Sequence, residues 1–266
     1  MKTIVYQSYR TTDVPPWIES CMRTVRSWAA ARSHEYRFID DRLFEYAPAW
    51  YREKAGRQIC PITDLARLMV ARELLAEGYD NAVWVDADML VFAPENLHVN
   101  IDKDFAFCHE IWIQPDAAGR PICTHRVNNS IAVFARNNTH LEFFIDACLR
   151  IARHKPQLGK LDVGTQFLTQ LRGVLPFPLI SNVGMFSPAV MADIADGADR
   201  CLSNYVQHLT SPLACANLCG SLLGSQVAGI ASDDRVYDAV VDRCLQTGGE
   251  VINRLFENRR QSTPGG

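Results

Sequence analysis

The spacing of apolar residues in the first 40 positions changes between two periods. Residues 3–7 form an apolar run with the length of a strand, and residues 35–39 form another. Between them, after Pro15 and Pro16, apolar residues recur every three or four positions, at Ile18, Cys21, Met22, Val25 and Trp28. This spacing predicts the buried face of a helix that begins near the prolines. The order strand, helix, strand predicts the opening of an α/β sheet.

The same alternation continues further along the chain. Residues 61–77 have helical spacing, and Gly78 is placed to end that helix. Strands or extended chain are predicted at residues 82–85, 105–109, 128–134 and 176–184. Further helices are predicted to begin near residues 139, 162 and 233. The stretch 112–124 contains two prolines and a glycine, so we expect a loop or a β-excursion there.

Two carboxylates, Asp86 and Asp88, stand between two apolar runs, 82–85 and 89–92. The first run predicts a buried strand, and ligands of α/β sheets bind beyond the carboxyl ends of strands. Residues i and i+2 of an extended chain point the same way, so both carboxylates can face one site. Such oxygen donors suit Mg²⁺ or Mn²⁺, which in turn can hold a diphosphate. The alternative is a pair of solvated aspartates in a turn, which the flanking apolar runs disfavour.

Composition narrows the class of protein. The chain has 266 residues with 48% hydrophobic positions, enough for one large or two small domains with a core. A net charge of -3 argues against a general nucleic-acid binder. No apolar stretch approaches the roughly 20 residues that span a bilayer, and the first residues lack a signal-peptide core. The nine cysteines form no Cys-x-x-Cys pair, so we expect free thiols and a cytoplasmic protein.

Asp64 and Arg67 lie three positions apart in the predicted 61–77 helix, so they share one face. The spacing alone favours an ordinary ion pair on the surface of that helix. The strand that leads to Asp86 follows the helix directly. We therefore also expect the helix to pack beside the predicted metal site.

Several stretches together resemble the family-32 glycosyltransferases. The opening residues 6–17, Ser27–Trp28 and 35–41 look like the start of that family. Thr63-Asp-Leu-Ala-Arg67 is similar to its Ser-Asp-x-x-Arg helix, and Asp86-Ala-Asp88 to its Asp-x-Asp motif. Residues 128–134 and 162–166 also resemble family-8 enzymes. The resemblance covers roughly residues 3–170.

The resemblance implies a GT-A fold, that is, an α/β fold whose mixed, mostly parallel sheet is flanked by helices. It implies a single domain over residues 1–260, with a nucleotide-binding half at about 1–110 and an acceptor-binding half at about 111–260. Residues 261–266 are expected to be a flexible tail. The implied activity is transfer of a hexose from a UDP- or GDP-sugar, with Mn²⁺ or Mg²⁺ and with retention of configuration.

Site residues follow from the same resemblance. Asp86, Asp88 and His208 would hold the metal. His208 is the histidine chosen because it lies on an apolar, strand-like stretch, residues 205–209, although a buried structural histidine is an equal alternative. Asp86, Asp88 and Asp162 would be catalytic. Asp162 is the candidate base should the reaction invert, and it suits a helix N-cap as well. Donor binding is implied for Tyr6, Gln7, Asp64, Arg67, Asp86 and Asn129. Asn129 would orient the sugar, and a polar turn at the start of a strand is its alternative.

Two departures leave other functions open. Residues 78–84 differ from the family's usual Gly-Gly-Ile-Tyr, and no Trp follows His208. A haloacid-dehalogenase-like phosphatase also carries Asp-x-Asp after a strand, with the first Asp as nucleophile. It has the motif on its first strand and a Thr or Val where this chain has Leu90. A catalytically silent nucleotide-sugar binding module is the third possibility.

The expected partners are a nucleotide sugar and a glycan, a lipid-linked or a small-molecule acceptor. Nucleic acid is not expected, in line with the net negative charge. No transmembrane segment is predicted, and peripheral association with a membrane stays open.

Overall fold

Strands and helices alternate through the first part of the chain in the computed structural model, which describes residues 1–99 and 101–262. The elements as far as residue 91 are β1 (Thr3–Ser8), α1 (Pro16–Ala31), β2 (Glu35–Ile39), α2 (Ala49–Ala55), α3 (Ile59–Ala76), β3 (Asn81–Val85) and β4 (Met89–Val91). The strands predicted at 3–7, 35–39 and 82–85 are present, the last beginning one residue earlier, and so is the helix after Pro15. The predicted 61–77 helix begins slightly earlier, at Ile59.

The later part of the chain contains shorter strands and more helices. Its elements are β5 (Phe105–Pro115), β6 (Pro121–Ala135), α4 (His140–His154), α5 (Thr165–Arg172), β7 (Leu179–Ile180), β8 (Val183–Met185), α6 (Pro188–Asp196), α7 (Arg200–Gln207), β9 (Cys215–Asn217), β10 (Gln226–Val227), β11 (Ile230–Ala231), α8 (Asp234–Thr247) and α9 (Glu250–Ser262). β5 and β6 form a long hairpin, so the stretch 112–124 is a β-excursion. Residues 261 and 262 of the expected tail end α9, and residues 263–266 lie outside the described residues.

The central sheet is mixed and mostly parallel, with strand order β2-β1-β3-β6-β5-β7. β1 runs parallel to β2 and β3, and β7 runs parallel to β5. β6 is antiparallel to both of its neighbours, β3 and β5. A second sheet, β4-β9-β8, begins directly after β3. Early and late parts of the chain therefore share both sheets.

Both faces of the central sheet are covered, which explains why β1 and β3 are buried along nearly their whole length. Tyr6 and Trp84 pack on one face together with residues of α3 and α4. Val5 and Val83 pack on the other face with Val25 of α1. The carboxyl end of β3 is thus enclosed by helices on two sides, which positions Asp86 at the edge of the core. Within the described residues, no helix is both long and apolar enough to cross a bilayer.

Candidate metal centre

Asp86 and Asp88 occupy the short turn that joins the two sheets. β3 ends at Val85 and β4 begins at Met89, whose N–H donates to the Asp86 carbonyl at 3.1 Å. The Asn217 side chain, at the end of β9, donates to Asp86 Oδ2 at 3.3 Å and to Asp88 Oδ1 at 2.7 Å. Both carboxylates therefore face the same amide group, although they lie in a turn and not in the extended chain from which the i, i+2 spacing predicted this.

The Asp86 carboxylate is held from three directions. Trp84 Nε1 donates to its Oδ1 at 2.6 Å, and Arg67 NH1 lies 3.2 Å from the same oxygen. Its side chain is still 25% exposed, so one edge remains open to a ligand. Burial raises the pKa of Asp86, while the Arg67 charge and the hydrogen bonds from Trp84 and Asn217 oppose that rise.

Asp88 is held by fewer partners and has the more perturbed pKa. The Gly220 N–H donates to its Oδ2 at 2.7 Å, and Asn217 donates to its Oδ1. Burial and the negative charge of Asp86 raise its pKa to about 7, against the effect of these hydrogen bonds. No cationic side chain pairs with Asp88 among the described residues. The pair therefore carries unneutralised negative charge in a partly desolvated place, which is the environment that a cation relieves.

Asp64 and Arg67 form a buried ion pair beside this site. Arg67 NH2 lies 3.3 Å from Asp64 Oδ1, and both side chains are under one tenth exposed. The expected surface ion pair is therefore wrong, because α3 presents this face to the sheet. Burial acts to lower the pKa of Arg67, but the charges of Asp86 and Asp64 outweigh it and raise that pKa. Arg67 stays charged and links the two aspartates.

Asn129 and Trp84 complete the surroundings of Arg67. Asn129 Nδ2 donates to Asp64 Oδ1 at 2.9 Å, and the Asn129 carbonyl accepts from Arg67 NH1 at 2.6 Å. The Arg67 guanidinium also lies over the Trp84 ring, 4.8 Å from its centroid. The guanidinium of Arg67 is thus occupied by partners within the protein. Asn129 and Arg67 together fix the positions of Asp64 and Asp86.

Tyr6 and Gln7 support the site from β1 and are fully buried. The Tyr6 hydroxyl donates to the Arg67 carbonyl at 2.7 Å. Gln7 Nε2 donates to the Asp86 carbonyl at 3.0 Å, and its Oε1 accepts from Tyr36. With no exposed surface, these two side chains position Arg67 and Asp86 and do not meet a ligand in this conformation.

Asp162 lies in a separate place, in the loop before α5. Its carboxylate accepts from the Gly159 N–H at 2.7 Å and pairs with Lys155 Nζ at 2.6 Å. Burial acts to raise its pKa, but the hydrogen bonds from Lys155 and Gly159 outweigh it and leave the pKa lowered. The N-cap of α5 is Gly164, so the predicted cap is wrong. Asp162 closes its own loop, and a carboxylate with a lowered pKa is a poor proton acceptor.

His208 also lies away from the two aspartates. The predicted strand-like stretch 205–209 is wrong: Tyr205 and Val206 belong to α7, and His208 follows its last residue. His208 packs against His125, with ring centroids 5.1 Å apart, and its ligand atom lies near that of Cys123. The structure therefore groups His208 with a cysteine and a histidine rather than with Asp86 and Asp88.

Asn217 and Gly220 contact the site and were not predicted from sequence. Asn217 Oδ1 accepts from the Cys219 N–H at 2.7 Å, which turns its amide N–H₂ group toward the carboxylates. A Cβ on Gly220 would lie 2.9 Å from the Trp17 ring and 3.2 Å from Asp88 Oδ2, so a larger residue here would force Trp17 or the loop to shift. The available signal was a polar residue that ends a short apolar run just before a glycine.

The donor set fits a hard divalent cation. The two carboxylates converge on one point, and the group that both of them contact there is the partly positive N–H₂ group of Asn217. Carboxylate oxygens are the ligands that Mg²⁺ and Mn²⁺ prefer, and rotation of the Asn217 amide would add a third oxygen. The class of site is thus a candidate carboxylate metal centre at the end of a strand in a mixed α/β fold.

No protein-family model and no curated protein matches the chain. Among solved structures, it is similar to a glycosyltransferase involved in the glycosylation of the major capsid of PBCV-1, with 8% identity, a TM-score of 0.46, and coverage of 89% of this chain and 98% of that chain. It is also similar to mouse xyloside xylosyltransferase 1 in its apo form, with 8% identity, a TM-score of 0.41, and coverage of 83% and 98%. At these identities the likeness assigns the chain to no family.

Proposed function

We propose that this chain is a GT-A-type glycosyltransferase that depends on a divalent metal. It would move a hexose from a nucleoside diphosphate sugar to a hydroxyl group. The observation that carries this proposal is the pair Asp86 and Asp88, held at a strand end by Asn217 with unneutralised negative charge. The motif resemblance in the sequence, from residue 6 to residue 166, supports the same activity.

Asp86 and Asp88 would hold Mn²⁺ or Mg²⁺, with Asn217 as the third candidate ligand. Bound there, the cation would supply Lewis-acid stabilisation to the departing diphosphate. The carboxylates are suited to this because they are fixed before the metal arrives. Trp84 and Arg67 hold Asp86, and the Gly220 N–H holds Asp88.

Arg67 would act as a positioning residue. Its guanidinium pairs with both Asp64 and Asp86 and is buried, so it neutralises part of the charge while keeping the two carboxylates apart. Asp64 and Asn129 are hydrogen-bonded to each other beside Arg67. They would orient the donor sugar through small shifts of their side chains. Direct contact between Arg67 and phosphate would require it to leave these partners.

In the reaction, a bond forms between the acceptor oxygen and the anomeric carbon while the bond from that carbon to the diphosphate breaks. Inversion needs a base that takes the acceptor proton on the side opposite the leaving group. Asp162 was the candidate base, and it is paired with Lys155 instead. We therefore propose retention, with the proton leaving the acceptor on the face of the diphosphate.

The donor would be a UDP- or GDP-hexose, and the acceptor a glycan, a lipid-linked sugar or a small hydroxyl compound. All nine cysteines are free thiols, and seven of them are buried. Unpaired thiols in this number fit a reducing compartment, so we propose a cytoplasmic enzyme. Peripheral association with a membrane would be compatible with a lipid-linked acceptor.

The phosphatase alternative has less support from the geometry. A nucleophilic Asp86 would need a free oxygen aimed at phosphorus. Its Oδ1 instead accepts from Trp84 and faces Arg67, and its Oδ2 faces Asn217. The motif also follows the third strand of the chain rather than the first. A silent binding module has the same geometry as an enzyme and differs only in turnover.

A thermal-shift screen of UDP- and GDP-sugars, with Mn²⁺ and with EDTA, tests the proposal. Ligands that bind the native state alone raise Tm. We expect at least one donor to raise Tm only with Mn²⁺, and incubation with that donor to consume it. Binding without any consumption would favour the silent module, and release of phosphate from simple phosphomonoesters would favour the phosphatase.

A further inference from the structure

Four side chains that the proposed function does not use meet on the outer half of the β5–β6 hairpin. Cys123 and His125 are two positions apart on β6, so they share one face of that strand. His208, just after α7, lies against them, and the ligand atoms of the three residues lie within 4.8 Å of one another. His109, on the adjacent β5, stacks on the His125 ring.

This Cys/His cluster is separate from the carboxylate pair. Asp86 donates its N–H to the Ser130 carbonyl on the same β6 strand. His125 is five positions further out, which corresponds to roughly 16 Å at about 3.3 Å per residue. The cluster is therefore a second group of ligands and not an extension of the first.

The distance between two of the three ligand atoms matches a tetrahedral transition-metal site, and His208 lies within 4.8 Å of both. Cys123 Sγ and His125 Nε2 lie 3.5 Å apart. Zinc bonds of about 2.3 Å to sulfur and about 2.05 Å to nitrogen place two tetrahedral ligands about 3.6 Å apart. A cation can thus enter between these two atoms without moving either strand residue.

The contact with His109 is compatible with the tautomer of His125 that ligation requires. His109 Nε2 and His125 Nδ1 lie 3.1 Å apart. When His125 donates from Nδ1, its Nε2 keeps a lone pair directed at the Cys123 sulfur. Metal-binding histidines commonly have their second ring nitrogen hydrogen-bonded in this manner, which fixes ring orientation.

Arg259 holds the end of α7 in place beside the cluster. It directs its guanidinium at the carbonyls of Val206, Gln207 and Leu209.

We propose that Cys123, His125 and His208 form a three-ligand site for Zn²⁺ or a cation of similar preference, with the fourth position open to water. Sulfur and imidazole donors select such cations, whereas the carboxylate pair selects Mg²⁺ or Mn²⁺. Because α7 packs on both β5 and β6, the cation would fasten the end of α7 to the outer half of the hairpin. This proposal does not depend on the glycosyltransferase proposal.

Cobalt spectroscopy on the full-length, metal-free protein tests the site. We expect Co²⁺ to give tetrahedral d–d bands and a thiolate charge-transfer band, and one equivalent of Zn²⁺ to remove both. Cys123→Ser should lose the charge-transfer band and weaken Zn²⁺ binding at least about a hundredfold, because the thiolate is a main ligand. His208→Ala should weaken binding in the same direction.

Controls separate this site from other cysteines and from the carboxylate pair. Cys60→Ser changes the other half-buried cysteine and should leave the spectrum unchanged. Asp88→Asn should also leave it unchanged. His109→Gln keeps a hydrogen-bonding group but not the imidazole, and should weaken Zn²⁺ binding about tenfold through the orientation of His125.

Two results would overturn the proposal, and the first of them needs no variant. Absence of a thiolate band in the wild-type protein with excess Co²⁺ would show that Cys123 is no ligand. Loss of that band in Cys60→Ser would place the metal elsewhere. A hydrogen-bonded histidine cluster with no metal would produce the first of these results.

Discussion

The carboxylate pair and the Cys/His cluster hold their ligands by different means. Asp86 and Asp88 are charged and repel each other, so several elements must support them: β1, α3, β6 and β9 each contribute a hydrogen bond or a charge. Cys123, His125 and His208 are neutral in their ordinary states, and one hairpin and one helix end suffice. Like charges in a partly desolvated place need support that neutral ligands do not.

Removal of one charged ligand should give the largest difference between the carboxylate pair and the Cys/His cluster. Asp88→Asn takes an anion from the carboxylate pair, so Mn²⁺-dependent donor binding and turnover should fall more than about a hundredfold. The fold should survive, because the substitution also removes the repulsion with Asp86. Calorimetric titration of donor with Mn²⁺ and a circular dichroism melt measure both effects.

Asp41→Asn is the control for that experiment, since Asp41 is an exposed carboxylate outside the site. It should leave donor affinity unchanged. Equal donor affinity in Asp88→Asn and wild-type protein would contradict the metal assignment.

Removal of the central support should cost stability rather than binding alone. Arg67→Ala leaves Asp64 and Asp86 as buried carboxylates without their shared partner, which we expect to cost about 3–5 kcal/mol. This reverses the expectation from sequence, in which the pair lay on the surface and its loss affected donor binding more than the fold. Urea unfolding measures the difference.

Arg72→Ala is the matched control on the same helix. Arg72 pairs with Glu142, and both side chains are largely exposed at 43% and 64%. Its loss should cost at most about 1 kcal/mol. If the two variants unfold at the same urea concentration, the buried network does not support the site as described.

Lowering the pH should weaken cation binding by the carboxylate pair over a narrow pH range. The pKa of Asp88 is raised to about 7, so protons compete with the cation below that pH. The stability of the metal-free fold changes with pH in the opposite direction. Because the pKa of Asp88 is higher in the folded protein than in the unfolded chain, its contribution to stability is complete below the unfolded pKa and is lost as the pH rises through about 7. Because protons compete with the cation for Asp88, Mn²⁺ affinity should fall about tenfold from pH 8 to pH 6. A flat profile in a calorimetric titration over that range would disprove the competition.

A small steric change should produce the smallest effect. Gly220→Ala places a methyl group near Trp17 and Asp88, so the loop must move by a few tenths of an ångström. We expect a loss of about 1 kcal/mol in Mn²⁺ affinity, which is about fivefold. Ser221→Ala, next to it and exposed, should have no effect. Equal affinities for the two variants would mean that the Gly220 approach to Asp88 is not needed.

Sequence reasoning predicted the elements whose periodicity extends over many residues. β1, α1, β2 and β3 agree with the expected spans within about three residues. β1, α1 and β3 each have several buried positions, whereas Ile39 is the one buried residue of β2. The pairing of Asp64 with Arg67 and the convergence of Asp86 and Asp88 also follow from local spacing. Local geometry was thus readable from the chain.

Contacts between distant positions were not readable in this way. Asn217 reaches Asp88 from 129 positions away, on a strand of three residues that has no periodicity to detect. The strand predicted around His208 is wrong because the buried face of α7 ends in two adjacent apolar residues, Tyr205 and Val206, which resemble a short apolar strand. The burial of Arg67 depends on which face of α3 meets the sheet. The three-position spacing of Asp64 and Arg67 cannot decide which face that is.

Donor turnover followed by proton NMR tests the central claim most directly. Wild-type protein with an α-linked donor and an acceptor, in Mn²⁺, should consume the donor and give an α-linked product, recognised by its small anomeric coupling. The same sample in excess EDTA should show no consumption. Consumption of the donor at an equal rate in EDTA would contradict the role of Asp86 and Asp88. A β-linked product would contradict retention and return Asp162 to the position of candidate base.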